Sequence, residues 1–102
     1  MTHTLKILPE YFQAILDGTK ADELRQEDDR TFAVGDVLVL REFVRTYMDL
    51  FDIEPSWIPT DGGYYTGRTL TREVTYVLRD PEHRWLQPGV AALSIRPIPT
   101  TD

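Results

Sequence analysis

The sequence predicts an α+β fold, a small β-barrel of about five to six short strands with one or two short helices. Three observations carry that prediction. Apolar and polar residues alternate in several short segments separated by turn residues. One early stretch alone has helical apolar spacing. The chain has 102 residues and is 41% hydrophobic, enough for one core and too short for two.

Each element follows in order. Residues 2–7 alternate, with His3, Leu5 and Ile7 on one face and Thr4 and Lys6 on the other, which makes a half-buried strand. His3 falls on the apolar side and is expected there as a packed, hydrogen-bonded core residue. Pro9 suits the first turn of a helix and Glu10 complements its N-terminal dipole. Tyr11, Phe12, Ile15 and Leu16 then form one stripe to pack on the sheet, and Gly18 ends the helix. Residues 21–26 make the next strand, with Leu24 turned to the core and Glu23 and Arg25 on the opposite face. A charged loop, Glu27-Asp28-Asp29-Arg30, and a turn at Val34-Gly35-Asp36 lead into 37–40, an unbroken apolar run that predicts a strand covered on both sides. The polar pattern resumes at Arg41 and Glu42.

Residues 46–63 break this rhythm. They carry four acids, no base, two prolines and several large apolar residues, too apolar for a linker and too interrupted for one regular element. The chain therefore reads as a single domain, 1–102, with an inserted excursion at 46–63. A strand at 69–78 follows, the hairpin partner of 37–44, with Leu70, Arg72, Val74, Tyr76 and Leu78 on one face. Trp85 and Leu86 are expected to tuck under the polar loop at 80–84. Gln87-Pro88-Gly89 turns into a closing strand, 90–96, with Ala91, Leu93 and Ile95 on one face, and the tail beyond it frays.

Composition bounds the function. Acids outnumber bases 17 to 11, for a net charge of −6, which weighs against any protein that coats nucleic acid through phosphates and leaves room for a local pocket. There is no cysteine, so disulfides, thiolate metal sites and cysteine nucleophiles are excluded. Two histidines far apart give no metal-ligand spacing, and there is no glycine-rich phosphate loop, so neither a metal nor a cofactor is expected. No segment is apolar enough for a signal peptide or a membrane span, so the expected location is cytoplasmic.

The densest reactive group is Lys20, Asp22, Glu23 and Arg25, directly after the helix. Alternation puts Glu23 and Arg25 on one strand face, roughly 6–7 Å apart. Arg25 would there keep Glu23 ionised and aimed, while Lys20 can polarise a carbonyl or act as a base. The competing reading is a solvated salt-bridge cluster. Tyr64, Tyr65 and Trp57, near Gly67-Arg68, make a second candidate in which an aromatic ring stacks a base, against simple packing of a loop.

The string His3, Leu5-Lys6-Ile7, Pro9-Glu10-Tyr11-Phe12, then Gly18, Lys20, Glu23-Leu24-Arg25, then Val34-Gly35-Asp36-Val37-Leu38 and Leu40-Arg41-Glu42 resembles an uncharacterised bacterial and phage family in the ASCH branch of the PUA-like superfamily. Tyr65-Thr66-Gly67-Arg68 and Val74-Thr75-Tyr76-Val77-Leu78 continue the match, which covers nearly the whole chain except 46–63. The resemblance implies a PUA-like barrel whose cleft is lined by the Lys–Glu–Arg segment. Related ASCH proteins include RNA-associated modules and small amidohydrolases that deacylate N4-acetylcytidine through a lysine, a threonine and a distant glutamate. Lys20 and Arg25 match that segment, Glu23 stands at the threonine's position, and Glu73 is the candidate for the distant glutamate.

Three functions follow as expectations. The first is a binding domain that recognises a nucleobase, nucleoside or RNA feature through Lys20, Glu23 and Arg25, with Tyr65 and Arg68 contributing to the ligand site. The second is an amidohydrolase acting on an N4-acylated cytidine-type nucleoside, with Lys20 and Glu23 as its catalytic pair. The third is a protein-interaction domain that uses the acidic excursion at 46–63.

Overall fold

A computed structural model of the chain describes residues 1–27, 30–45, 62–82 and 84–98. Its elements run β1 (Thr2–Ile7), α1 (Pro9–Asp17), β2 (Asp22–Gln26), β3 (Val37–Arg45), β4 (Gly63–Arg79) and β5 (Val90–Pro97). The strands form one sheet in the order β1-β3-β4-β5-β2. β1 pairs parallel with β3, and every other neighbouring pair is antiparallel.

β1 and β2 are the outer strands of that order, yet the Arg25 guanidinium of β2 donates to the Lys6 carbonyl of β1 at 2.5 Å. One side chain spans the gap, so the sheet curls into a half-barrel that brings its two edges together. Hairpins and right-handed twist supply the curl. The architecture is a small β-barrel-like α+β fold.

α1 starts on Pro9, where the absent N–H costs nothing, and stops at Gly18, whose φ of 83° lets its N–H turn back to the carbonyls of Ala14 and Ile15. Phe12 and Ile15 enter the core beside Leu5, Ile7, Leu38, Leu40, Val74, Ala91, Leu93 and Ile95. Tyr11 and Leu16 of the expected stripe stay about half exposed, because a nine-residue helix presents only a narrow face to the sheet. His3 is buried as expected. Its Nε2 lies 2.8 Å from Asp36 Oδ2, and its ring sits 4.6 Å from that of Phe32.

Four expectations are corrected. Leu24 points outward at 58% exposed, since β2 pairs with β5 so that Glu23 lies opposite buried Leu93 and Arg25 opposite buried Ala91. The run 37–40 is wholly buried at Leu38 and Leu40 and half-buried at Val37 and Val39, because α1 covers only the inner face. β4 begins at Gly63, six residues before the expected start, and a bulge between Val74 and Tyr76 shifts its faces. Val77 therefore packs against the core while Tyr76 and Leu78 turn to the surface. Trp85 is 84% exposed rather than tucked in. Residues 46–61 of the excursion, together with His83 and 99–102, lie outside the described residues.

Candidate functional site

The path from helix to strand sets the site. After Gly18, the backbone N–H groups of Thr19 and Lys20 both donate to the Ala14 carbonyl, which wraps the chain around the helix end. Lys20 is thereby delivered beside Tyr11, with its Nζ 5.9 Å from the ring centroid. β2 then turns Glu23 and Arg25 to the inner face by its register with β5.

The result is a short charged chain on one wall. Glu23 is only 6% exposed. Desolvating a carboxylate is costly unless a cation and hydrogen bonds compensate. Arg25 compensates, donating from Nε and Nη2 to Glu23 Oε2 at 3.0 and 2.6 Å. The same Nη2 donates to the Lys6 carbonyl, so Arg25 both holds Glu23 and ties the sheet edges. Lys20 Nζ donates to the Asp22 carbonyl at 2.6 Å and to Asp22 Oδ1 at 2.7 Å. It stands 3.8 Å from Glu23 Oε1, beyond hydrogen-bond length, so that oxygen faces a cation without being claimed by it.

These residues line a cleft of about 360 Å³ between the approaching edges of the sheet. Lys6, Ile7 and Leu8 form the β1 side, Tyr11 comes from α1, and Arg45 comes from the end of β3. Lys20, Glu23, Leu24 and Arg25 form the opposite side. Sequence reasoning singled out Lys20, Glu23 and Arg25, and the fold brings all three into this cleft. It did not single out Lys6, Tyr11 or Arg45. Lys6 and Arg45 are brought near each other by the parallel pairing of β1 with β3, a contact between segments more than thirty residues apart that no local pattern announces, and Tyr11 arrives on α1.

Tyr65 and Arg68 lie elsewhere, in a second cluster. Arg41 stacks its guanidinium 3.7 Å from the Tyr65 centroid, and Tyr65 meets Phe43 edge-on at 5.0 Å. Gly67, at φ 92°, bulges the strand so that Thr66 and Arg68 both turn to the buried Glu42. Thr66 Oγ1 donates to Glu42 Oε1 at 2.7 Å, and Arg68 Nε stands 3.4 Å from the same oxygen. Arg68 also covers the Phe12 ring at 4.5 Å and donates to Gln13 Oε1 at 3.3 Å. This cluster fastens α1 to the start of β4. Trp57, the other aromatic of that group, lies outside the described residues.

Glu73 lies far from the cleft along the sheet. It is paired with Val37 at the start of β3 and bonded to Arg96 at 3.1 and 3.2 Å. At the same end of the molecule, burial pushes the Asp36 carboxyl up, but hydrogen bonds from His3, the Ala33 N–H and the Met1 amino group outweigh it and hold the group at about 2. Arg79 grips Glu27 with two hydrogen bonds of 2.8 and 2.9 Å, which lowers the Glu27 carboxyl against the opposing effect of burial. Among the described residues, no group of three or more His, Cys, Asp or Glu is placed to hold a metal ion, and no helix is long and apolar enough to cross a membrane.

The family model described as Domain of unknown function (DUF3850) matches residues 2–95. No curated protein matches the sequence.

Proposed function

We propose, for a chain that belongs to the DUF3850 family, that the cleft between β1 and β2 is a binding site for a nucleobase that carries an exocyclic amine, presented as a nucleoside or within an RNA feature. The observation that carries this reading is the convergence of Lys20, Glu23 and Arg25 on one cleft of about 360 Å³. That volume lies within the roughly 300–1,000 Å³ of small-ligand sites. A carboxylate fixed by an arginine is a preorganised acceptor for an amino group, the pairing by which Glu and Asp read cytosine N4. Glu23 Oε1 is the oxygen turned toward that task, with Lys20 beside it to engage a neighbouring carbonyl. Tyr11, half exposed with its ring 5.9 Å from Lys20 Nζ, offers a ring face for stacking. The PUA-like reading of the barrel belongs to the same proposal, and the curled five-stranded sheet supports it.

Binding is favoured over hydrolysis by the state of the two groups a hydrolase would use. Lys20 Nζ gives two of its three protons to acceptors of Asp22, which leaves one for a ligand carbonyl, and one Glu23 oxygen accepts twice from Arg25. Both arrangements aim and fix polar atoms, which serves recognition. A base or nucleophile would have to leave these partners first.

Thermal-shift and calorimetric titrations with cytidine, adenosine and uridine test the proposal. Cytidine or adenosine is expected to raise the melting temperature and uridine to do so less, since uridine has no exocyclic amine. Glu23→Gln is expected to weaken binding of the amino-bearing nucleosides by about 1–3 kcal/mol, the worth of a bidentate or charge-assisted base contact. Equal responses to all three nucleosides, or an unaffected Glu23→Gln variant, would remove the basis for the assignment. Release of acid from N4-acetylcytidine by the wild-type protein, abolished in Lys20→Ala, would establish the hydrolase instead.

A further inference from the structure

Most cations of the described chain are neutralised at close range. Lys20, Arg25, Arg68, Arg79, Arg84 and Arg96 each stand within salt-bridge distance of a carboxylate. With 17 acids against 11 bases, that is the expected state of a basic side chain here. Arg41 departs from it. Among the described residues its guanidinium meets no carboxylate, and what it does meet is the ring of Tyr65, 3.7 Å from the centroid.

At that distance the guanidinium lies along the ring. A nitrogen aimed at the ring would stand ~1.3 Å closer than the central carbon, at about 2.4 Å, well inside van der Waals contact. The N–H fork therefore runs parallel to the ring, and the stack does not consume its donors. Phe43 braces Tyr65 edge-on with the ring centroids 5.0 Å apart, so the pair is held in place before any ligand arrives. Tyr65 is 39% exposed and Arg41 only partly buried, and both are reached from solvent.

The pair also adjoins the cleft. Arg41 alternates with the buried Leu40 and Glu42, which puts it on the outer face of β3. It is in register with Lys6 of β1, a residue that lines the cleft. Arg41 thus stands one strand spacing, about 5 Å, beyond the cleft's β1 side. Its register partner on β4 is the exposed Thr69, which adds a hydroxyl to the same face. An arginine stacked on a tyrosine suits a nucleotide, since the planar groups take a base and the N–H edge takes a phosphate. An acidic peptide would use the charge and leave the stack idle.

Resting on the base-binding reading above, we infer that the ligand is a single-stranded segment of RNA, one base of which enters the cleft while an adjoining nucleotide crosses β1 and seats on Arg41 and Tyr65. The net charge of −6 keeps the contact local, because the acidic remainder of the surface repels a longer polyanion.

Calorimetry with cytidine and with the RNA trinucleotide 5′-UCU-3′, over a series of salt concentrations, tests the inference on wild type, Arg41→Gln, Tyr65→Leu and Glu23→Gln. A uridine on each side of the cytidine makes the direction of the strand immaterial. The trinucleotide is expected to bind about tenfold or more tightly than cytidine at low salt. Arg41→Gln is expected to remove that advantage and to lower the salt slope by about 0.7, the share of one phosphate on a single strand. Tyr65→Leu keeps the charge, loses the stack, and is expected to weaken the trinucleotide about fivefold or more. Both variants should bind cytidine as wild type does, which also reports an intact fold. Trinucleotide and cytidine within about twofold of each other, or a tight trinucleotide indifferent to Arg41→Gln, would overturn the inference while the base-binding proposal stands. Trinucleotide binding without cytidine binding, and unchanged in Glu23→Gln, would overturn both, because no base would then be read in the cleft. A hexaglutamate peptide that displaces the trinucleotide at equal concentration would assign the surface to an acidic peptide and overturn the inference. An absence of binding by every probe would overturn both readings.

Discussion

At the scale of single residues, each described buried polar side chain is compensated by a partner, some on the same segment and others far along the chain. Glu23 has Arg25, Glu42 has Thr66 and Arg68, and Asp36 has His3, the Ala33 N–H and the Met1 amino group. Asp36 has a measurable consequence. Its carboxyl is held at about 2 against an ordinary 3.8. A folded-state value below the unfolded one contributes stability that is complete above the unfolded value and is lost as pH falls through the folded one. The window is therefore from about pH 4 down to about pH 2, and the lowered Glu27 carboxyl acts in the same direction. Urea unfolding at a series of pH values is expected to show the wild-type protein losing stability across that window. Asp36→Asn should be less stable at neutral pH by about 1–3 kcal/mol, the cost of unmaking hydrogen bonds to a buried charged group, and its stability should vary less over the window. Parallel curves for the two proteins would contradict the role given to Asp36.

At the scale of elements, legibility followed how local each signal is. The first strand, the helix with its Pro9 start and Gly18 stop, and the closing strand were all readable, because alternation, capping and turn residues lie within the segment they describe. The early part of β4 was not, since Gly63, Gly67 and the polar Thr66 hide a strand whose backbone is bulged. The outward turn of Leu24 was misread for a related reason. Apolar content normally marks the inner face, but here the inner face carries a compensated Glu–Arg pair, and only the register with β5 decides the matter. In the candidate site, Lys20 just before β2 and Glu23 and Arg25 on it were legible from their spacing and from family resemblance. Lys6, Tyr11 and Arg45 were hidden in segments that read as ordinary strand and helix. The Gly67 bulge yields a prediction. Nothing lies within 4 Å of the position where a side-chain carbon would be added, so Gly67→Ala tests conformation alone. With φ at 92°, the change is expected to cost about 1–2 kcal/mol in chemical unfolding, the usual penalty for a side chain in left-handed backbone. No loss would mean that the bulge relaxes without it, and that Thr66 and Arg68 do not depend on it to reach Glu42.

At the scale of the whole molecule, sheet closure and the candidate site coincide. A sheet of five strands curls until its edges nearly meet, with Arg25 bridging them, and the gap that remains is the cleft. That cleft is lined by Lys20, Glu23 and Arg25 on the β2 side and by Lys6, Tyr11 and Arg45 on the other. Closing the sheet and shaping the site are the same act. Substitution of Arg25 is thus a poor probe of binding, since it loosens the edges and strands Glu23 together, whereas Glu23→Gln and Arg45→Ala probe the ligand site with the Arg25 bridge in place. The central claim is that ligand enters between β1 and β2, and an NMR titration of backbone amides with cytidine 5′-monophosphate tests it most directly. The account predicts dose-dependent shifts concentrated at residues 6–11, 20–25 and 45, with the amides around Asp36 and Glu73 at the far end of the sheet undisturbed. Shifts centred instead on Tyr64, Tyr65 and Arg68, or no shifts at saturating nucleotide, would contradict it.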